Sequence, residues 1–421
     1  MTEAPSGRAA RTLGALSEPQ FRLLWIGQTT SAAGDALIPV AVAFAVLRIG
    51  GSVAELGLVF SAFTISRVAL VLAGGVWADR LPRQLVMVAC DVIRAVFEVI
   101  LALLLLYGTA QIWHLALGAA VIGGAGAFFV PASTGLIPQT VSAGRLQQAN
   151  ALMGLSRTST SVLGPPVAGL VIALANIGVI FLIDAATFVL SAVSLLLLRP
   201  NAPVAGMREQ QHFFAELAEG WREVVSRRWI LAAICTFGIT NLANGAFFIL
   251  GPVIADKQLG GAAAWGLILT GGGIGGVVGG LIALRVRPAR PLRSEFLIAT
   301  LMSLPALALI GPMPVLAIAV ALMISSVVVE LGNAWWFTML QQHVPDHARS
   351  RVSSYDWLVS LVFQPLGFVL VGPLSVAIGV GPTLIAAAGI LIIGNLAVLL
   401  VRDVREVRWV HQPDEAATAA S

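Results

Sequence analysis

Charge is what this sequence of 421 residues has least of: Asp, Glu, Lys and Arg together make up 11% of it, against 58% hydrophobic residues. A water-soluble domain carries about 25% charged residues, so this apolar surface cannot be hidden inside one water-facing globule. Lysine is nearly missing, with Lys257 alone among 25 basic side chains. The formal net charge of +4 would suit a nucleic acid only if the arginines formed a patch, and they lie between apolar runs instead. No nucleic-acid partner is therefore expected. Cysteine occurs twice, as Cys90 and Cys235, each within an apolar run, which excludes a disulfide framework and a CxxC metal pair. HExxH, GxSxG and Walker-loop patterns are also missing. Neither an enzyme nor an ATP-driven pump is expected, and no cofactor or metal. The first 19 residues are polar and hold no apolar signal-peptide core, so the first apolar run is expected to act as its own insertion signal.

What is present is a succession of long apolar runs. Crossing a hydrocarbon core of about 30 Å takes roughly 20 apolar residues in a helix. Windows of that kind run about 21–47, 53–78, 84–107, 113–137, 148–174, 178–198, 229–255, 264–286, 294–312, 314–340, 355–377 and 380–401. They lack the period-2 alternation of strands. Arginine placement orients them. The N-terminal tail, the connections after the even-numbered spans and the C-terminal tail hold 21 arginines, and the opposite connections hold only Arg48 and Lys257. By the positive-inside rule both termini are expected in the cytoplasm.

A polar interruption divides the runs six and six. The expected organisation is a cytoplasmic tail over 1–19, a six-helix bundle over 20–199, a cytoplasmic linker over 200–228, a second bundle over 229–401 and a cytoplasmic tail over 402–421. In the linker, Phe213, Phe214, Leu217, Trp221, Val224 and Val225 share a helical face, the pattern of an amphipathic helix at a membrane surface. The halves echo one another weakly, GlyGly at 50–51 and GlyLeuVal at 57–59 recurring as GlyGly at 260–261 and GlyLeuIle at 266–268. The fold class expected is thus an all-α protein of twelve transmembrane helices in two six-helix bundles. Secondary transporters repeat their halves in this way, with the solute site at the midplane between them.

Short motifs carry a resemblance. Residues 74–83, GlyGlyValTrpAlaAspArgLeuProArg, follow the second span and resemble the GxxxDRxGR loop of the major facilitator superfamily, with Pro82 at the place of a glycine. LeuGlyProProValAlaGly at 163–169 resembles the GPxxGG motif of exporters in that superfamily, with Ala168 at one glycine. Stretches at 21–35, 147–152, 184–191 and 220–229 are similar to its branch of macrolide-efflux proteins and enterobactin exporters. The resemblance implies the major facilitator fold, a place in the cell membrane, efflux coupled to protons, and a drug, macrolide, siderophore or secondary metabolite as cargo. It also implies a conformational latch of Gly75, Asp79, Arg80 and Arg83, in which Asp79 would cap the cytoplasmic start of span 11 at Ser353 or Ser354 by charge–dipole attraction. Gly164, Pro165 and Gly169 carry the exporter-type motif. Span 4 lacks the arginine that many drug–proton antiporters place there.

Charges inside the membrane are the remaining signal, because each costs roughly 2.5–3.5 kcal/mol on insertion scales. Glu55 follows Ser52 at capping-box spacing. Glu295 and Asp356 are expected in first helical turns, and Asp184 as an ordering contact near the outer end of span 6. Asp91, Arg94 and Glu98 fall on one face of span 3. With Arg67 they suggest a charge network in which Asp91 pairs with Arg94. Asp35, Glu98 and Glu330 have no full-charge partner in their own helices and are the proton-coupling candidates. Gln28, Ser31, Asn241, Asn244 and Asn333 are the candidate polar lining of a substrate cavity, with aromatics such as Phe128, Phe129, Phe247, Phe248, Trp335 and Trp336 around it. The partners expected are a small organic molecule, protons and lipid, with no obligate protein partner. A metabolite importer and a non-transporting membrane sensor are the alternatives, and the intramembrane acids argue against the sensor.

Overall fold

The computed structural model describes residues 14–200 and 221–410; the side chains of 71–80, 346–347, 350–351 and 360–361 also lie outside the described residues. The regular elements are helical: α1 (Pro19–Asp35), α2 (Ile38–Arg48), α3 (Val53–Arg80), α4 (Arg83–Leu106), α5 (Ile112–Leu136), α6 (Leu146–Leu174), α7 (Gly178–Leu197), α8 (Arg228–Ile254), α9 (Ala262–Ala283), α10 (Pro291–Ala299), α11 (Leu304–Ile310), α12 (Val315–His343), α13 (Asp346–Ile378), α14 (Val380–Ala397) and a short α15 (Arg402–Glu406). Among the described residues, ten helices are long and apolar enough to cross a membrane. α4 and α6 are long enough as well, at 24 and 29 residues, but carry more polar side chains.

Two of the expected spans are not single helices. The first breaks between α1 and α2, where Pro39 stands in the first turn of α2. The ninth breaks at the 3₁₀ turn Thr300–Ser303, after which Pro305 restarts the helix as α11. Proline lacks the N–H that would continue the ladder, and its fixed φ suits a helix start. At the start of α3 the expected capping box is formed: Ser52 N–H donates to Glu55 Oε2 at 2.7 Å and Glu55 N–H to Ser52 Oγ at 3.2 Å.

Small residues set how closely these helices approach. α9 lies along α12 through Gly271 and Gly275, where a methyl group would meet the carbonyls of Ala319 and Met323. The same device joins the first half of the chain to the second. Gly57 of α3 lies against the carbonyl of Phe368 of α13, and Gly372 of α13 against Ala54. Gly169 of α6 lies against the carbonyl of Ala262, and Gly266 of α9 against the carbonyl of Pro165. Ser61 adds a hydrogen bond, its hydroxyl donating to the carbonyl of Pro365 at 3.0 Å.

These contacts gather at one end of the molecule. A single hydrophobic core there runs from Leu37 through Phe44, Phe181 and Phe247 to Ala388 and draws on both halves of the chain. At the end that carries the termini there are two cores, one built from residues 15–198 and the other from residues 224–404. Among the described residues, no shared core joins the halves at that end.

Several expectations change here. α13 begins at Asp346 after Pro345, so Ser353 and Ser354 lie two turns inside the helix and do not begin it. The polar run 346–351 hid this start from a hydropathy window. Asp356 is consequently no first-turn anion: it is buried and accepts the indole N–H of Trp336 at 2.8 Å. Arg157, counted as part of a cytoplasmic connection, lies inside α6. The linker expectation for Phe213, Phe214 and Leu217, like the tails before residue 14 and beyond 410, lies outside the described residues; within reach, Val224 is buried and Trp221 and Val225 are exposed.

Candidate functional site

Between the halves lie two cavities of about 760 and 680 Å³. Phe248 of α8 lines both. The first is walled mainly by α1 to α6 and reaches α13 at Gln364 and Phe368. The second is walled by α8, α9, α11 and α12, with Thr158 and Ser161 of α6. Both fall within the roughly 300–1,000 Å³ of sites that enclose drug-sized ligands.

The polar stripe of α1 faces the first cavity. Gln28, Ser31 and Asp35 all line it. Ser133 of α5 donates its hydroxyl to Gln28 Oε1 at 3.1 Å, which fixes the amide with its NH₂ group unpaired. Above it, Ser156 of α6 accepts the indole N–H of Trp25 at 2.9 Å and the hydroxyl of Thr29 at 3.0 Å. Asp35 is exposed, and the surface it exposes is the cavity wall.

Across from α1, α4 contributes Arg94 and Glu98, and α3 contributes Arg67. The expected Asp91–Arg94 pair is not formed. The Arg94 guanidinium lies over two rings, 4.7 Å from the centroid of Phe129 and 5.3 Å from that of Phe188, where the ring quadrupoles attract a cation. Among the described residues, both Asp91 oxygens, both Glu98 oxygens and Arg94 Nε have no hydrogen-bond partner, and all three residues are buried. Spacing placed these side chains on one helical face correctly. Their partners were decided by α5 and α7, whose phenylalanines occupy the space around the guanidinium.

Asp184 of α7 belongs to the same group. It is buried, its Oδ1 accepts the Thr187 hydroxyl at 3.2 Å and its Oδ2 has no partner. Gly34 of α1 sits directly against its carboxylate. Asp184, Asp35, Glu98 and Arg94 all lie within electrostatic reach of one another. Sequence reading gave Asp184 a local ordering contact; three-dimensional packing sets it behind the cavity wall, beside Asp35.

The other candidates separate. Glu330 and Asn244 line the second cavity, with the Gly272, Gly273, Gly276 and Gly280 face of α9 opposite. Asn241 and Asn333 line neither cavity. Of the aromatics, Phe129, Phe247 and Phe248 are cavity residues, but Phe128 packs against the core of the first half, and Trp335 and Trp336 are buried with their N–H groups bonded to Val286 O and Asp356. Gly75, Asp79 and Arg80 of the expected latch fall within residues 71–80, outside the described side chains. Arg83 donates to the carbonyl of Gly135 at 2.6 Å, at the C-terminal end of α5 where the helix dipole favours a cation. Sequence reasoning missed Arg157, Ser156 and Gln364 as cavity residues; only the position of Arg157 inside an apolar window could have flagged one of them.

The comparisons with known proteins agree with this architecture. The model of the Major Facilitator Superfamily matches residues 24–360. A multidrug efflux pump, Tap, from Mycolicibacterium fortuitum is 27% identical over 93% of this chain and 98% of its own length. Tap of Mycobacterium tuberculosis H37Rv is 27% identical over 94% and 96%, and the enterobactin exporter EntS of Escherichia coli O1:K1 is 25% identical over 93% and 94%. Among solved structures, a bacterial homologue of the human lysosomal transporter Spinster, inward-facing and unoccupied, superposes with a TM-score of 0.73 at 15% identity, covering 97% of this chain and all of that one. The nucleoside transporter NupG superposes at 0.74 with 14% identity over 92% and 100%. With ten apolar membrane-length helices among the described residues and a family match over most of its length, the chain belongs to the major facilitator superfamily and is a multi-pass transporter of the cell membrane.

Proposed function

We propose that this transporter is a proton-coupled exporter of amphipathic organic compounds that works by alternating access between two six-helix bundles, residues 20–199 and 229–401. In this reading α4 and α6 also cross the membrane, at about 36 and 43 Å for 1.5 Å per residue. They would bring the spans to twelve, and the arginine distribution supports cytoplasmic termini. The end where the halves share one core is then the outer end, and the cleft faces inward. Outward opening would part the glycine seams α3–α13 and α6–α9 and bring the two separate cores together.

One observation carries the proposal: Asp35 and Glu98 meet in a single cavity, and neither has an ion-pair partner among the described residues. A carboxyl in a cleft that opens to one side at a time exchanges its proton with the water on that side. Loading from outside and release inside would drive the cycle as substrate leaves. The same cavity holds an apolar wall of Phe60, Phe63, Phe129, Phe248 and Phe368 for the cargo. Asp79 and Arg80 fit the latch that the superfamily's loop implies, and their partner at the start of α13 would be the helix end at Asp346.

The test is transport in proteoliposomes with an imposed pH gradient, beside drug susceptibility of cells with and without a protonophore. Asp35→Asn combined with Glu98→Gln is expected to lower drug-driven proton movement at least about tenfold, the scale of about 1.4 kcal/mol. Undiminished proton movement in that variant would overturn the assignment.

A further inference from the structure

The first cavity is supplied with donors that have no acceptor. Arg67 of α3 and Arg157 of α6 line it and are exposed to it. Neither guanidinium takes part in an ion pair or a side-chain hydrogen bond among the described residues. Arg94 lines it too, buried, with Nε unpaired. Gln28 presents an NH₂ group that is buried and unpaired, because its carbonyl oxygen is already taken by Ser133. Three guanidinium groups and one amide, from α1, α3, α4 and α6, thus converge on a single space.

The acids facing them do not consume these donors. Asp35 is within electrostatic reach of Arg67 and Arg94, yet forms an ion pair with neither. Glu98 is fully buried. Asp91 and Asp184 are fully buried and stay behind the wall. The second cavity offers no comparable set: among the described residues, Glu330 is the only charged one that lines it. An unmet buried donor is costly, and an arginine meets an oxyanion through two parallel bonds.

Resting on the transport reading above, we infer that the cargo is an amphipathic organic anion. Its acidic group is seated among Arg67, Arg94, Arg157 and the Gln28 amide, and its apolar body lies against the phenylalanines toward Phe248 and Phe368. A cationic drug would meet three arginines on entry.

The experiment uses the full chain in proteoliposomes under a pH gradient, with the membrane potential clamped to zero. The probes are 1-pyrenebutanesulfonate and 4-(1-pyrenyl)butyltrimethylammonium, which share one apolar body and carry permanent charges of opposite sign. The sulfonate is expected to move at least about tenfold faster than the ammonium, the range of one charge-assisted pair. Arg67→Glu and Arg157→Glu are each expected to lower that preference about tenfold, with the ammonium gaining in absolute rate. Arg94 is left intact because its guanidinium also packs between Phe129 and Phe188. Equal transport of both probes by the wild type, or a preference unchanged in both variants at equal incorporation and unfolding temperature, overturns the inference. So does transport of neither probe. In that case pH-driven movement of neutral 1-pyrenebutanol leaves the exporter reading standing, and failure of all three probes removes that reading as well.

Discussion

The two walls of the cleft are built from opposite materials. The first half of the chain lines its cavity with Asp35, Glu98, Arg67, Arg94 and Arg157. The second half lines the other with glycines of α9, the hydroxyls of Ser325 and Ser326, and the single carboxylate of Glu330. Charge inside a membrane is costly and concentrates along functional pathways, whereas glycine serves backbone approach. Chemistry is thus concentrated in the first half, and the second half supplies close-packed, adaptable surface against which the first can move. The seams between them follow the same rule, since Gly57, Gly169, Gly266 and Gly372 all set backbone against backbone.

Breaking the glycine seam between α9 and α12 should have the largest effect. Gly275 lies against the carbonyl of Met323, whereas a Cβ on Gly276 meets open space. Gly275→Val is expected to destabilise the bundle by roughly 1–3 kcal/mol through overpacking, and Gly276→Ala to leave it unchanged. Thermal unfolding in detergent distinguishes them, and equal melting temperatures would show that the α9–α12 seam has slack.

Next in size is the contrast between acids. Glu98→Gln alone is expected to reduce proton-driven transport at least about tenfold, and Glu330→Gln less than about twofold, because Glu330 stands apart from the charged cavity. Comparable losses from both would spread coupling over the two halves. The smallest effect is expected at the closed end. Ser61→Ala removes one buried hydrogen bond to Pro365, worth about 1 kcal/mol. It should shift the equilibrium about fivefold toward the state open at the end away from the termini. Accessibility of a cysteine introduced at Phe368 to a membrane-impermeant reagent measures that shift.

Much of the architecture was legible because hydropathy acts locally. A run of about 20 apolar residues declares a span wherever it lies, and the capping box at Ser52 and Glu55 needs only its own four residues. The misreadings occurred where polar residues extend a helix, as at the start of α13, or where a charged side chain sits within a span, as Arg157 does. At the site, Gln28, Ser31, Asp35 and Glu98 were readable as helical stripes. The partners of those stripes were not: Arg94 turned to Phe129 and Phe188 in place of Asp91. Asp184 moved from a local role to the neighbourhood of Asp35 through the close approach of Gly34.

The sequence by itself determined the solvent this chain lives in, the membrane-length helices and the rarity of charge within them, because transfer to hydrocarbon depends on composition over a single helix. Only the tertiary structure decided that Asp35, Glu98 and three arginines share a cavity while Glu330 faces another, and which end of the cleft is sealed. Those outcomes depend on how helices far apart in the chain rotate against one another, and that is set by backbone contact at the glycine seams, a property of pairs of helices that no single stretch of sequence carries.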